Sequence, residues 1–107
     1  MALEGFGRFS EPALLILLSL LQGERHGYGI SADLEQVTGS RPGPGTLYGA
    51  ISRLEGRGLI EAAPSVGRRK PYRLTPVGHA AVADEIQRLS SLAVEGQRRL
   101  HSAAAHA

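Results

Sequence analysis

The chain contains no cysteine and no tryptophan. Without thiols there is no disulfide framework, no thiolate metal site and no cysteine nucleophile, and a cytoplasmic setting is the simplest expectation. Long apolar runs are missing as well. The longest, Ala13 to Leu21, is interrupted by Ser19 and falls far short of the roughly 20 residues that span a bilayer. A secretory signal is also disfavoured: Arg8 precedes the apolar run, but Gln22-Gly23-Glu24-Arg25-His26 follows it where a cleavage site would need small residues. Catalytic chemistry finds little support. His26, His79, His101 and His106 are scattered, with no pair at helical metal-ligand spacing beside a carboxylate. Asp84 and Glu85 are adjacent and so diverge on a helix, while Ser31, Asp33 and His26 read as ordinary helix-surface chemistry. No enzyme activity, cofactor or metal is expected.

What is present is charge in one place. The net charge of the 107 residues is only +2, which as an average hides a segregation. From Arg41 to Arg73 there are seven basic residues (Arg41, Arg53, Arg57, Arg68, Arg69, Lys70, Arg73) against two acids (Glu55, Glu61), a net of +5. The remainder has five basic and eight acidic residues, a net of −3. Such a division makes a positive face for a polyanion on an acidic body. With 42% apolar and 21% charged residues the chain should fold as one domain with a modest core.

Residues 1 to 9 show no period and contain glycine breaks, so they are expected as a flexible arm. Ser10 can cap, and Pro12 fits the first turn of a helix running to about Gln22. That helix is apolar on nearly every side and needs cover all round; Leu14 and Leu18 are expected to meet a second subunit. A second helix, Tyr28 to Thr38, spaces Tyr28, Ile30, Leu34 and Val37 by twos, threes and fours and stops at Gly39. Pro42-Gly43-Pro44-Gly45 then breaks the chain.

A third helix, about Pro44 to Arg57, places Leu47, Ile51 and Leu54, with Ala50, on one side. The opposite side shows Gly45, Gly49, Ser52 and Gly56, edged by Thr46, Tyr48 and Arg53. Exposed glycines cost on the order of 1 kcal/mol each relative to alanine. A helix lying in a DNA major groove gains from such a smooth face; a poorly optimised surface helix is the blander account. Leu59 to Ala62 and Tyr72 to Leu74 read as two short strands of a hairpin, with Pro71 at the edge of the ribbon and Arg68, Arg69 and Lys70 at a basic tip suited to phosphates. A merely solvated loop is the alternative there.

Thr75-Pro76 opens a last helix, expected from about Val77 to His101. Val82, Ile86, Leu89, Ala93, Gly96 and Leu100 recur at alternating spacings of four and three, the seam of a coiled coil. Pairing with a second copy would set two recognition helices about 34 Å apart, one turn of DNA; folding back on the same domain is the alternative. The reading is mainly α with a small β-hairpin: arm 1–9, winged helix-turn-helix 10–76, dimerisation helix 77–102 and disordered tail 103–107.

Taken together, Leu14 to Leu21 followed by His26-Gly27-Tyr28-Gly29-Ile30, Gly45-Thr46-Leu47-Tyr48 with Arg53-Leu54-Glu55, Gly58-Leu59-Ile60, and Tyr72-Arg73-Leu74-Thr75 with Gly78 make the chain resemble the PadR family of bacterial transcriptional regulators. The likeness is to its short members with one C-terminal helix. It implies a homodimeric winged-helix repressor on double-stranded DNA bearing an inverted repeat, often released by a small hydrophobic or aromatic effector. By position, DNA contact falls on Thr46, Tyr48, Ser52, Arg53, Arg68, Arg69 and Lys70. Two features depart from the family: Gly49 stands where proline often follows the Leu-Tyr pair, and no aromatic residue follows Tyr72. An effector pocket would therefore use Leu15, Leu18 and neighbouring aliphatics, or Phe6 and Phe9. A winged helix used only for protein contacts is the alternative function.

Overall fold

The computed structural model describes residues 3–7, 10–65 and 67–106 and places the most apolar helix at the centre of the fold. Helix α1 (Ser10–Leu20) packs against the next two helices, the last helix and the sheet. Its buried stripe is Ala13, Ile16, Leu17 and Leu20, whereas Leu14, Leu15 and Leu18 are only half-buried. The Ser10 hydroxyl donates to the Gly7 carbonyl at 3.0 Å, so it closes the turn before the helix and is not the cap expected of it.

A two-residue strand follows, β1 (Arg25–His26), which the sequence pattern did not reveal. Helix α2 (Gly27–Thr38) starts directly from it. His26 serves as its N-cap, and Gly39, with φ of 81°, ends it in the left-handed conformation that favours glycine. Helix α3 (Pro44–Gly56) begins with proline in its first turn and buries Leu47, Ala50, Ile51 and Leu54.

Strands β2 (Ile60–Ala62) and β3 (Pro71–Leu74) pair antiparallel, Ile60 with Leu74 and Ala62 with Tyr72. β1 pairs on the other side of β3, Arg25 with Tyr72 and His26 with Pro71, so the sheet has the order β1-β3-β2. The expected two-stranded ribbon is thus corrected to three strands, and Pro71 lies in the central strand. It is tolerated there because it is the first residue of that strand.

Thr75 links the sheet to helix α4 (Pro76–His106). Its hydroxyl donates to the Gly58 carbonyl at 2.6 Å and accepts from the Gly78 N–H at 3.0 Å. Gly78 lies so close to Leu59 that a Cβ would collide with the Leu59 carbonyl. Only the first turns of α4 pack on the body, through Ala81, Val82 and Glu85. At about 1.5 Å per residue, the 31-residue helix is roughly 46 Å long and accounts for the 61 Å long axis of the protomer.

Three expectations require correction. The segment expected as a loose arm puts Leu3 and Phe6 into the core, because two large apolar side chains outweigh the glycines between them. Val82, assigned to the intersubunit seam, is fully buried within its own protomer. The region from Ala103, expected as a disordered tail, continues the helix to His106, in keeping with the high helix propensity of three consecutive alanines. Ala107 lies outside the described residues, as does Phe9.

Candidate nucleic-acid interface

The exposed side of α3 carries Gly45, Thr46, Tyr48, Ser52, Arg53 and Gly56. A Cβ at Gly45 or Gly56 would meet no atom within 4 Å, so nothing inside the protomer requires those positions to be bare. Tyr48 is different. It is half-exposed, yet its hydroxyl lies against Gly27 so closely that a Cβ there would collide with it. The lack of a side chain at Gly27 therefore seats the Tyr48 ring across the start of α2. An Arg53 guanidinium N–H donates to the Gly49 carbonyl at 3.2 Å, which lays that side chain back along its helix.

The wing turn contains Gly67, with φ of 85°, and the exposed run Arg68, Arg69 and Lys70. Lys70 Nζ is 3.8 Å from Glu55 Oε2 and 5.4 Å from the centre of the Tyr72 ring. Arg69 reaches across to β1, with one guanidinium nitrogen 3.1 Å from His26 Nε2. The His26 and Tyr28 rings stack with centres 6.3 Å apart, and Arg41 lies 5.2 Å above the Tyr28 ring. Glu35 accepts a hydrogen bond from Arg41 and raises the pKa of its guanidinium further above the usual value, so Arg41 remains cationic at any working pH.

These contacts close one cleft of about 380 Å³, lined by His26, Gly27, Tyr28, Tyr48, Arg68, Arg69, Lys70 and Tyr72. Four of the seven expected DNA-contact residues, Tyr48 from α3 and the three wing cations, thus share a wall. Thr46, Ser52 and Arg53 stand on the exposed face of α3 outside that lining. Sequence reasoning missed His26 and Tyr28. His26-Gly27-Tyr28 was noticed as a motif, but nothing in its spacing indicates that β3 draws it beside the wing.

Not every cation in the basic segment points at this cleft. Arg73 is held by Glu61 at 3.0 Å and approaches Glu24 at 3.9 Å, and Arg57 lies 4.3 Å over the Phe6 ring. Counting charges along the chain therefore overstates the positive face. Among the described residues no cluster of histidine and carboxylate side chains could hold a metal, and no helix is long and apolar enough to cross a membrane.

A second, more apolar groove of about 240 Å³ runs between α1, α2 and the start of α3, and includes Leu15, Leu34, Pro42 and Leu47. Leu15 was expected in an effector pocket and lines this groove; Leu18 does not. Phe6, the other candidate, is packed into the core beneath Arg57.

Comparison with known proteins bears on this geometry. Residues 16–84 match the model of the transcriptional regulator PadR-like family. A transcriptional regulator of Mycobacterium tuberculosis is 40% identical over 85 residues, covering 77% of this chain and 78% of that protein. An uncharacterised 37.1 kDa protein in a Streptomyces fradiae transposon is 41% identical over 79% of this chain, but the match spans only a quarter of that longer protein. Among solved structures, a PadR family regulator of Clostridium difficile superposes with a TM-score of 0.72 at 28% identity, covering 82% of this chain and 96% of its own. RosR of H. salinarum is similar as well, with a TM-score of 0.69 at 29% identity over 87% of each chain.

Proposed function

The chain belongs to the PadR-like family of transcriptional regulators, and from that premise we propose that it is a cytoplasmic, homodimeric repressor that grips an inverted-repeat operator and releases it when a small hydrophobic effector binds. It is a regulator and not an enzyme. The observation that carries the DNA-binding part is the shared cleft, in which Tyr48 of α3 meets Arg68, Arg69 and Lys70 of the wing. α3 then enters a major groove with Thr46, Ser52 and Arg53 toward base edges and phosphates, while the wing cations straddle the adjoining backbone. The bare positions Gly45 and Gly56 fit this role, since their smoothness serves nothing within the protomer.

The dimer rests on the free half of α4. Ile86, Leu89 and Leu100 are 40%, 40% and 72% exposed, and with Ala93 they continue the stripe that begins in the core at Val82. Leu14 borders a cleft with Glu85 and Arg88, beside the point where the stripe emerges, and Leu18 is half-buried on the same helix, α1. The half-buried aliphatics of α1 offer an effector apolar contact without an aromatic wall.

Fluorescence anisotropy of the DNA just upstream of this protein's own coding region, titrated at two salt concentrations against a scrambled duplex, tests the reading. Binding to the native fragment that survives salt sufficient to strip the scrambled one is the expected result. Equal, salt-labile binding to both, or none, rejects a specific operator there and favours a winged helix directed at protein.

A further inference from the structure

His26 is held in a way that fixes its proton. Its Nδ1 accepts the Gly29 N–H at 3.1 Å and so caps α2. A nitrogen that accepts carries no proton, so neutral imidazole must keep its single proton on Nε2, which becomes a donor. Yet the atom 3.1 Å from Nε2 belongs to the Arg69 guanidinium, which has donors only. Two donors face each other across that gap. Moving the proton to Nδ1 would let Nε2 accept from Arg69, but only by giving up the helix cap. What the pair lacks is an acceptor.

The surroundings state which kind. The cleft holding this pair is lined also by Arg68, Lys70 and the phenols of Tyr28, Tyr48 and Tyr72 and, among the described residues, by no carboxylate. Glu55, outside that lining, is paired with Lys70 at 3.8 Å, and Asp33 with Arg25 at 4.0 Å. The first turn of the 12-residue helix α2 opens at the same place, adding the positive end of its dipole. We infer that His26 and Arg69 form a clamp for one phosphate oxygen of the DNA backbone, Nε2–H and the guanidinium both donating to it, with Tyr48 as the neighbouring hydroxyl. This inference rests on the DNA-binding reading above. It adds to the contacts of α3 and the wing one from His26 of β1, at the N-cap of α2, and it assigns Arg69 a position fixed from β1. Because Tyr48 leans on Gly27, the clamp also ties the register of α3 in its groove to a phosphate at the start of α2.

The test uses His26→Asn, which keeps a side-chain acceptor at the N-cap but leaves its amide N–H donors near the place of the ring Cδ2, short of the position that Nε2–H occupies. Operator affinity should fall about tenfold, the size of one hydrogen bond to a charged group, while the melting temperature holds. Arg69→Ala should also weaken binding, and the double variant should lose no more than a few-fold beyond Arg69→Ala alone. Replacing single phosphates by neutral methylphosphonates should reveal one position per half-site that matters to the unaltered protein and is indifferent in His26→Asn. Unchanged affinity in His26→Asn, or full additivity with Arg69→Ala, overturns the clamp. Failure of the DNA reading is distinguished by a sulfate titration at constant ionic strength, followed through the Gly29 amide resonance. A saturable shift lost in both variants supports the oxyanion seat even without DNA binding, and identifies a free anion as its occupant; no saturable shift together with no DNA binding refutes it.

Discussion

Residues up to Glu85 and the helix beyond it live under different rules. In the body, apolar side chains such as Ile16, Ile51 and Val82 are covered by the same chain. In the projection, Ile86, Leu89 and Leu100 belong to the same kind of periodic stripe, and their own chain leaves them exposed. The hydrophobic effect does not distinguish a neighbour in the same chain from one in a second copy. A mutation in the body is therefore felt as stability, whereas one in the projection should be felt as assembly.

The sharpest break of that contrast is Gly78→Ala. The collision with the Leu59 carbonyl involves backbone on both sides, so α4 would have to lift from the sheet; a cost of several kcal/mol is expected, seen as a melting temperature lowered by at least 10 °C for a domain of this size. Next comes Ile86→Asp with Leu89→Asp. The body should keep its circular dichroism while sedimentation shows monomers, since a buried unpaired charge is costly only where an interface buries it. An intact dimer would move the interface elsewhere.

The proposed DNA face lies on the skin of the body and should report neither stability nor assembly. Ser52→Glu is expected to abolish operator binding in a gel shift with the fold and the dimer unchanged, by like-charge repulsion against phosphate. Arg68→Ala with Arg69→Ala should weaken binding to all sequences and flatten the dependence of log affinity on log salt by roughly one to two units, about 0.9 per lost phosphate contact. The smallest effect concerns the far end of α4, where Arg98 and then Arg99 hold the Glu95 carboxyl below the usual 4.5. A lowered carboxylate pKa contributes stability that is complete above the unfolded value and lost as pH falls through the folded one. Amide exchange near Leu100 should accordingly be flat from pH 7 to about 5, after correction for the intrinsic rate, and lose protection below about 4.5.

The same contrast explains what the sequence disclosed. α2 and α3 were legible in extent because Gly39 and the Pro42 to Gly45 cluster mark their ends, and a 3.6-residue period marks the buried side of α3; in α2 the period misled, since Ile30 and Leu34 are buried but Tyr28 and Val37 are exposed. The buried face of α3 was read residue for residue. β1 was not, because two residues have no period and their pairing with Tyr72 and Pro71 is entirely non-local. The heptad stripe of α4 was visible, but a stripe does not say what covers it, so Val82 was assigned to a second subunit when its own core held it. Leu3 and Phe6 were hidden by glycines. His26 was hidden for another reason: its neighbours are brought to it by the sheet.

Thr75 is the hinge pin of this arrangement. Its one hydroxyl is bonded at once to Gly58, just after α3, and to Gly78, in the first turn of α4, while its backbone continues from the strand that leaves the wing. The rod that leaves the body at Ile86 thus begins at a residue whose one oxygen joins the end of α3 to the first turn of α4, beside the packing of Ala81 and Val82 on the core.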